Sequence, residues 1–221
     1  MSMNIAIDGP AGAGKSTIAK KVAKEMGFIY VDTGAMYRSL ALYFIRQGID
    51  KDDENKISEA VKDCNVTIKY VDGQQQVLLN DENVTGLIRT EEVGNMASAS
   101  SVYASVRSKL LDLQRSLAAN NDVIMDGRDI GTCVLPEAQV KVFLTASVDE
   151  RASRRYKELV EKGENPDLDK IKKDIEERDY RDSHRENSPL RQAEDAVLVD
   201  SSNMTIEEVV NAITKLCKDK M

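Results

Sequence analysis

The chain of 221 residues contains one histidine, His184. That excludes a metal centre built on several imidazoles. Its three cysteines, Cys64, Cys133 and Cys217, lie far apart, so neither a C-x-x-C metal pair nor a disulfide framework can be drawn. Such usage fits a reducing cytoplasm, and a cytoplasmic location is expected. No apolar run reaches bilayer-spanning length, which argues against any association with membranes. The opening Met-Ser-Met-Asn-Ile-Ala-Ile-Asp has no basic stretch followed by a long apolar one and does not read as a signal peptide. Positive charge is not in excess either. A net charge of −7 argues against broad nucleic-acid binding, and no nucleic-acid partner is expected. Any anion must be held locally, against the average field. There are no internal repeats and no low-complexity tails. What remains, 41% hydrophobic and 31% charged, reads as a globular chain long enough for one medium domain or a core with an insert.

Near the start, Asn4-Ile5-Ala6-Ile7-Asp8 reads as a short buried strand, followed at once by Gly9-Pro10-Ala11-Gly12-Ala13-Gly14-Lys15-Ser16-Thr17. This fits G-x-x-x-x-G-K-S/T at every defined position. The context that the pattern requires is a strand before it and a helix after it. Ile18, Val22 and Met26 recur at helical spacing with lysines between them, and Gly27 stands where a left-handed cap is expected. Holding phosphate oxygens needs several backbone N–H groups turned into one concavity, and small residues permit that turn. The start of the following helix adds its positive dipole end. Lys15 is expected to reach the β and γ phosphates, and the Ser16 hydroxyl to take a place on Mg²⁺.

Further along, 28–32 is a second strand candidate and about 35–47 a helix ending at Gly48. Residues 50–62 suggest a short surface helix. Segments 66–70 and 76–79 are β-rich and separated by Asp72-Gly73, a strong hairpin signal. A helical stretch runs from about 90 to 119. Strands are expected at 122–126, 140–144 and 196–200, and helices at about 149–161, 168–183 and 205–218. This alternation predicts an α/β fold, a mostly parallel sheet covered by helices on both faces, with a small antiparallel β insert. The whole chain is expected to form one unit, with core segments at about 1–63, 86–153 and 167–221 and an insert at about 64–85.

A phosphate loop does not by itself name a reaction. Neither N-K-x-D nor D-x-x-G occurs, which weakens a GTPase reading, and the length disfavours large motor ATPases. Arginines gather in the second half, at 107, 128, 151, 154, 155, 178, 181, 185 and 191. Transfer between two phosphorylated molecules collects negative charge, which planar guanidinium forks suit. Asp126 ends an apolar strand, where a carboxylate can orient the metal or its waters, and Gly127, Arg128 and Asp129 follow.

The chain resembles the bacterial cytidylate (CMP) kinases, within the nucleoside monophosphate kinases, over essentially its whole length. The resemblance rests on residues 7–16, on Asp32-Thr33-Gly34-Ala35-Met36-Tyr37-Arg38, on Asp126-Gly127-Arg128-Asp129-Ile130-Gly131-Thr132, on Glu177-Arg178-Asp179-Tyr180-Arg181-Asp182, and on Arg185 and Pro189-Leu190. It implies transfer of the ATP γ-phosphate to CMP or dCMP with Mg²⁺, by a monomer. It implies a P-loop-type parallel five-stranded sheet and a short lid at about 154–166, places the ATP phosphates at 9–17, and puts Lys15, Arg128 and Asp126 in the catalytic set and Arg154 at the lid beside the donor. It also implies an acceptor set of Thr33, Arg38 (on the acceptor's α-phosphate), Ser98, Arg107 and Asp129 (on cytosine), Arg178 and Asp182 (at the sugar), Arg128 and Arg185. Thr33 stands where some members have serine, and Ser16 where some have glycine.

Taken without the resemblance, several of these residues have ordinary alternatives. Asp126 could cap the next turn. Arg128 and Asp129 could pair with each other. Arg178, Arg181, Asp182 and Arg185 fall at i, i+3 and i+4 spacings, where a solvated, salt-bridged face is the usual outcome. Cys133 reads as a small buried residue.

Overall fold

A computed structural model describes residues 2–221. In chain order the elements are β1 (Asn4–Asp8), α1 (Lys15–Met26), β2 (Ile29–Asp32), α2 (Thr33–Arg46), α3 (Glu54–Ala60), β3 (Val66–Val71), β4 (Gln74–Leu79), β5 (Glu82–Asn83), α4 (Glu91–Ser100), α5 (Ala104–Asn120), β6 (Val123–Gly127), β7 (Val140–Thr145), α6 (Val148–Glu161), α7 (Leu168–His184), β8 (Val197–Asp200) and α8 (Ile206–Lys218). The chain divides into two compact units, one of residues 29–123 with Ser2, the other of residues 3–28 and 124–221.

Five strands form a parallel sheet in the order β2-β6-β1-β7-β8, with helices on both faces, as the alternation of elements predicts. Ile5, Ala6 and Ile7 of central β1 have no exposed surface, the pattern of a strand covered on both sides. Its register against β7 pairs Ile5 with Val140 and Asp8 with Phe143. Edge strand β8, paired with β7 through Val142 and Val197, leaves Val197 and Leu198 exposed. From β6 to β7 the chain passes over β1 to the other side of the sheet. The end of β1 is therefore the switch point, where open parallel sheets bind ligands.

Within residues 3–28 and 124–221, α1 buries Ile18, Ala19, Val22 and Ala23 and turns Lys20, Lys21 and Lys24 outward. Its end is set by Gly27 at φ 72°, whose N–H reaches the Ala23 carbonyl. Thr214 Oγ1 of α8 donates to Glu25 Oε2 of α1 over 3.1 Å. After β6, residues Ile130–Val134 make a single π-helical turn that the sequence did not announce. Cys133 lies in this turn and is half-buried rather than buried.

In the unit of residues 29–123, α2 starts two residues earlier than expected, at Thr33, because Asp32 Oδ1 accepts the Ala35 N–H at 2.9 Å. The hairpin β3–β4 forms as expected. Asp72 and Gly73 both adopt positive φ, 52° and 73°, the turn that suits the strands' twist. A third strand, β5, follows a second such turn at Asn80-Asp81, with φ of 48° and 68°. The helical stretch expected at 90–119 is broken into α4 and α5 at residues 101–103. Ser100 and Ser101 donate their hydroxyls to the carbonyls of Met96 and Ser98, a local competition that loosens a helix end.

Candidate active site

The phosphate loop owes its shape to three glycines. Gly9, Gly12 and Gly14 have φ of 149°, 76° and 85°. A Cβ on Gly9 would lie 1.9 Å from the Leu144 carbonyl oxygen, so β7 leaves room only for glycine. Gly14 caps α1 in the left-handed conformation. Lys15 is buried and folds back on its own loop, donating from Nζ to the carbonyls of Gly9 and Pro10, each at 2.7 Å. An ammonium has three donors, and these carbonyls take two. Burial and then the nearby Arg128 push the Lys15 ammonium well below its usual range, against the pull of Asp126, Asp8 and Asp182. Ser16 Oγ donates to Asp126 Oδ2 at 2.8 Å, so Asp126 faces the loop rather than merely capping a turn.

Behind the loop, Asp8 accepts the N–H groups of Ile130 and Gly131 at 2.8 and 2.7 Å, fixing the π turn that follows Asp129. Burial raises the Asp8 carboxyl to about 6, opposed by these two hydrogen bonds. The residues expected as a solvated face on α7 divide instead. Arg181 is exposed, while Asp182 and Arg185 are buried. Asp182 Oδ2 takes Arg128 Nε at 2.8 Å, and Arg185 Nη2 meets Asp129 Oδ1 at 3.4 Å. Arg128 and Asp129 thus pair with other residues and not with each other. Burial favours the neutral acid at Asp182, but Arg128, Arg178 and Arg185 outweigh it and hold its carboxyl below the ordinary range. Arg178 is half-buried one turn earlier on α7. Arg154 lies beside Gly14 and is held by Glu150 at 2.9 Å and by the Ser201 carbonyl at 2.8 Å.

Four of the expected acceptor residues lie in the unit of residues 29–123. Thr33 and Ser98 are buried, while Arg38 and Arg107 are half-buried. Arg107 sits 5.6 Å above the ring of Tyr37, and its Nη1 donates to the Ser101 carbonyl at 3.3 Å. Asp32 also takes Arg89, an arginine the sequence reading passed over, and exchanges main-chain hydrogen bonds with the Gln75 amide at 2.8 and 3.1 Å. Burial would raise the Asp32 carboxyl, but Arg89 and Arg38 keep it low. No local signal marks Arg89 or Gln75. Each meets Asp32 across more than forty residues of chain.

A parallel sheet switched at β1 and a glycine-shaped G-x-x-x-x-G-K-S loop at that switch define a P-loop fold, with a guanidinium–carboxylate cluster following β6. The fold is similar to that of shikimate kinase from Bacteroides thetaiotaomicron, at TM-score 0.51 and 13% identity over 98% of each chain. A family model described as cytidylate kinase matches residues 5–219. The cytidylate kinase of Leuconostoc mesenteroides is 52% identical over 220 residues, covering 100% of this chain and 98% of that protein. That of Lactobacillus johnsonii is 50% identical over 99% of this chain and 95% of that protein. The chain belongs to the cytidylate kinase family.

Proposed function

We propose that this chain transfers the γ-phosphate of ATP to CMP or dCMP, giving CDP or dCDP in pyrimidine nucleotide metabolism, as a cytoplasmic monomer. The observation that carries the reading is the pairing of a phosphate loop, whose lysine is already aimed along it, with arginines set by carboxylates, Arg185 buried and Arg128 half-buried. In this reading residues 9–17 receive the ATP phosphates on backbone amides, and the third Lys15 donor turns to a phosphate oxygen. The triphosphate's charge favours the ammonium that burial disfavours. Arg154 lies beside the donor.

Ser16 and Asp126 fit a magnesium ion. A hydroxyl and a carboxylate, 2.8 Å apart, are hard oxygen donors. No group of three or more His, Cys, Asp or Glu side chains suited to a metal occurs among the described residues. Bound there, Mg²⁺ would neutralise charge on the transferring phosphates, with Asp126 acting through a water.

On the acceptor side, Arg38 holds the α-phosphate of CMP, with Thr33 beside it and Arg128 on phosphate. Ser98, Arg107 and Asp129 read cytosine; Arg178 and Asp182 bind the sugar, with Arg185 near them. Cytosine and uracil exchange a donor for an acceptor at C4 and N3. One mispaired buried group costs about 1–3 kcal/mol, so roughly ten- to hundredfold preference follows from polarity alone. The acceptor phosphate is already anionic, so no general base is needed, and catalysis consists of alignment, charge neutralisation and exclusion of water. Residues 64–85 act as the acceptor insert and 154–166 as a lid that limits hydrolysis.

The test is diphosphate formation from ATP and Mg²⁺ with CMP, dCMP, UMP, AMP and dTMP as acceptors. CMP and dCMP are expected to be turned over fastest. Equal turnover of UMP and CMP would overturn the cytosine assignment, and no turnover of any acceptor would overturn the kinase.

A further inference from the structure

Arg151 belongs to the arginine run that the sequence places before the lid, but the residue is only 4% exposed. Each nitrogen of its guanidinium is committed to protein. Nε donates to the Ala146 carbonyl at 2.9 Å, Nη1 to the Ala11 carbonyl of the phosphate loop at 2.9 Å, and Nη2 pairs with Asp179 Oδ2 of α7 at 2.6 Å. Its stem underlies the loop as well. A Cβ on Gly12 would lie 3.4 Å from Arg151 Cβ.

A trans peptide unit points its carbonyl and the next N–H in opposite directions. By drawing the Ala11 carbonyl toward itself, Arg151 turns the Gly12 N–H away from the guanidinium. Lys15 does the same for the Ala11 N–H by holding the Pro10 carbonyl. The two cations therefore fix the orientation of adjacent peptide units of the loop, and so of the Ala11 and Gly12 N–H groups. Arg151 is fixed in turn by Asp179, whose other carboxylate oxygen is buried with no hydrogen-bond partner. Asp179 adjoins Arg178 and stands one helical turn before Asp182.

We propose that Arg151, anchored by Asp179, is a positioning residue for ATP that ties the phosphate loop to helix α7. It acts through the Ala11–Gly12 peptide and touches no nucleotide itself. The inference rests on the reading of residues 9–17 as the ATP site. It makes α7 a shared support, holding the loop through Asp179 and the acceptor residues through Arg178 and Asp182.

The experiment compares wild type, Arg151→Lys, Asp179→Asn and the double variant. ATP affinity is measured by direct titration without acceptor, alongside kcat and KM for ATP and the thermal midpoint. Both single variants are expected to weaken ATP about tenfold, the worth of one hydrogen bond to a charged group. At saturating ATP, kcat is expected to remain largely unchanged, because the chemistry is untouched. The double variant is expected to be no weaker than the poorer single one, because both substitutions break one pair. Wild-type ATP affinity in Asp179→Asn, even with a lowered midpoint, would assign the pair a structural role and overturn the proposal. Multiplicative losses in the double variant would overturn it too. If Arg151→Lys does not fold, Asp179→Asn alone decides. Should the wild type bind ATP yet phosphorylate no CMP, the kinase reading fails, while weaker ATP binding in Asp179→Asn would still support the positioning role.

Discussion

The phosphate loop and the cluster on helix α7 lie in the same compact unit and are both built for negative charge, but they use different parts of the chain. In the loop, on the proposed reading, backbone amides would receive the phosphates while side chains serve the backbone: Lys15 and Arg151 hold the carbonyls of Gly9, Pro10 and Ala11. On α7, in the same reading, the side chains themselves would be the site. Arg128 is set by Asp182, and Asp129 by Arg185. The loop therefore depends on where the backbone can go, the cluster on which charges are paired. A small-residue site fails by steric error, whereas a guanidinium site fails by leaving a buried charge alone.

Breaking the loop should have the largest effect. Gly9→Ala places a methyl group against the Leu144 carbonyl at a positive φ. The strain and overlap together should cost about 4 kcal/mol. For a chain of this size that is a fall of about 8–16 °C in thermal midpoint, measurable by calorimetry. An unshifted midpoint would mean that β7 yields to the loop, and the steric half of the contrast would fail.

A smaller effect sharpens the contrast at Asp8, which joins the end of β1 to the turn behind Arg128 and Asp129. Its carboxyl is raised from 3.8 to about 6, chiefly by burial. A carboxyl raised in the folded state binds its proton more tightly there than in the unfolded chain. Its stabilising contribution is full below about 4 and is lost as pH rises through about 6. The difference corresponds to roughly 3 kcal/mol at most. Asp182 has the opposite sign, since its carboxyl is held low and its contribution is lost as pH falls through the folded value. In Asp8→Asn the decline between pH 4 and 6 should be missing from unfolding free energies measured against wild type. Parallel curves for the two proteins would show that Asp8 does not titrate in that window.

The same contrast explains what could be read without coordinates. The loop, helix α1 with its Gly27 cap and the Asp72-Gly73 hairpin were legible because each is specified by neighbours in sequence. The break at residues 101–103 was not, because Ser100 and Ser101 stop the helix by turning back on carbonyls that a propensity pattern does not register. Without the family resemblance, helical spacing alone would have put Asp182 on a solvated face, whereas it is buried. Its spacing to Arg178 and Arg185 is that of a surface helix, and its partner Arg128 lies 54 residues away. Arg151 was visible as one of an arginine group, but its contact with the loop was not, for the same reason: Ala11 lies 140 residues away. The π turn at Ile130–Val134 depends on Asp8, more than a hundred residues upstream. Local geometry is written locally, whereas charge pairing is written across the chain.

The division of labour is tested most directly by crossed titrations of ATP and CMP into Lys15→Met and Asp182→Ala. Loss of a hydrogen bond to a charged group is worth on the order of tenfold to a hundredfold in affinity. Lys15→Met is expected to lose that much for ATP with CMP nearly unaffected, and Asp182→Ala that much for CMP with ATP nearly unaffected. Equal losses of both nucleotides in both variants would contradict the account.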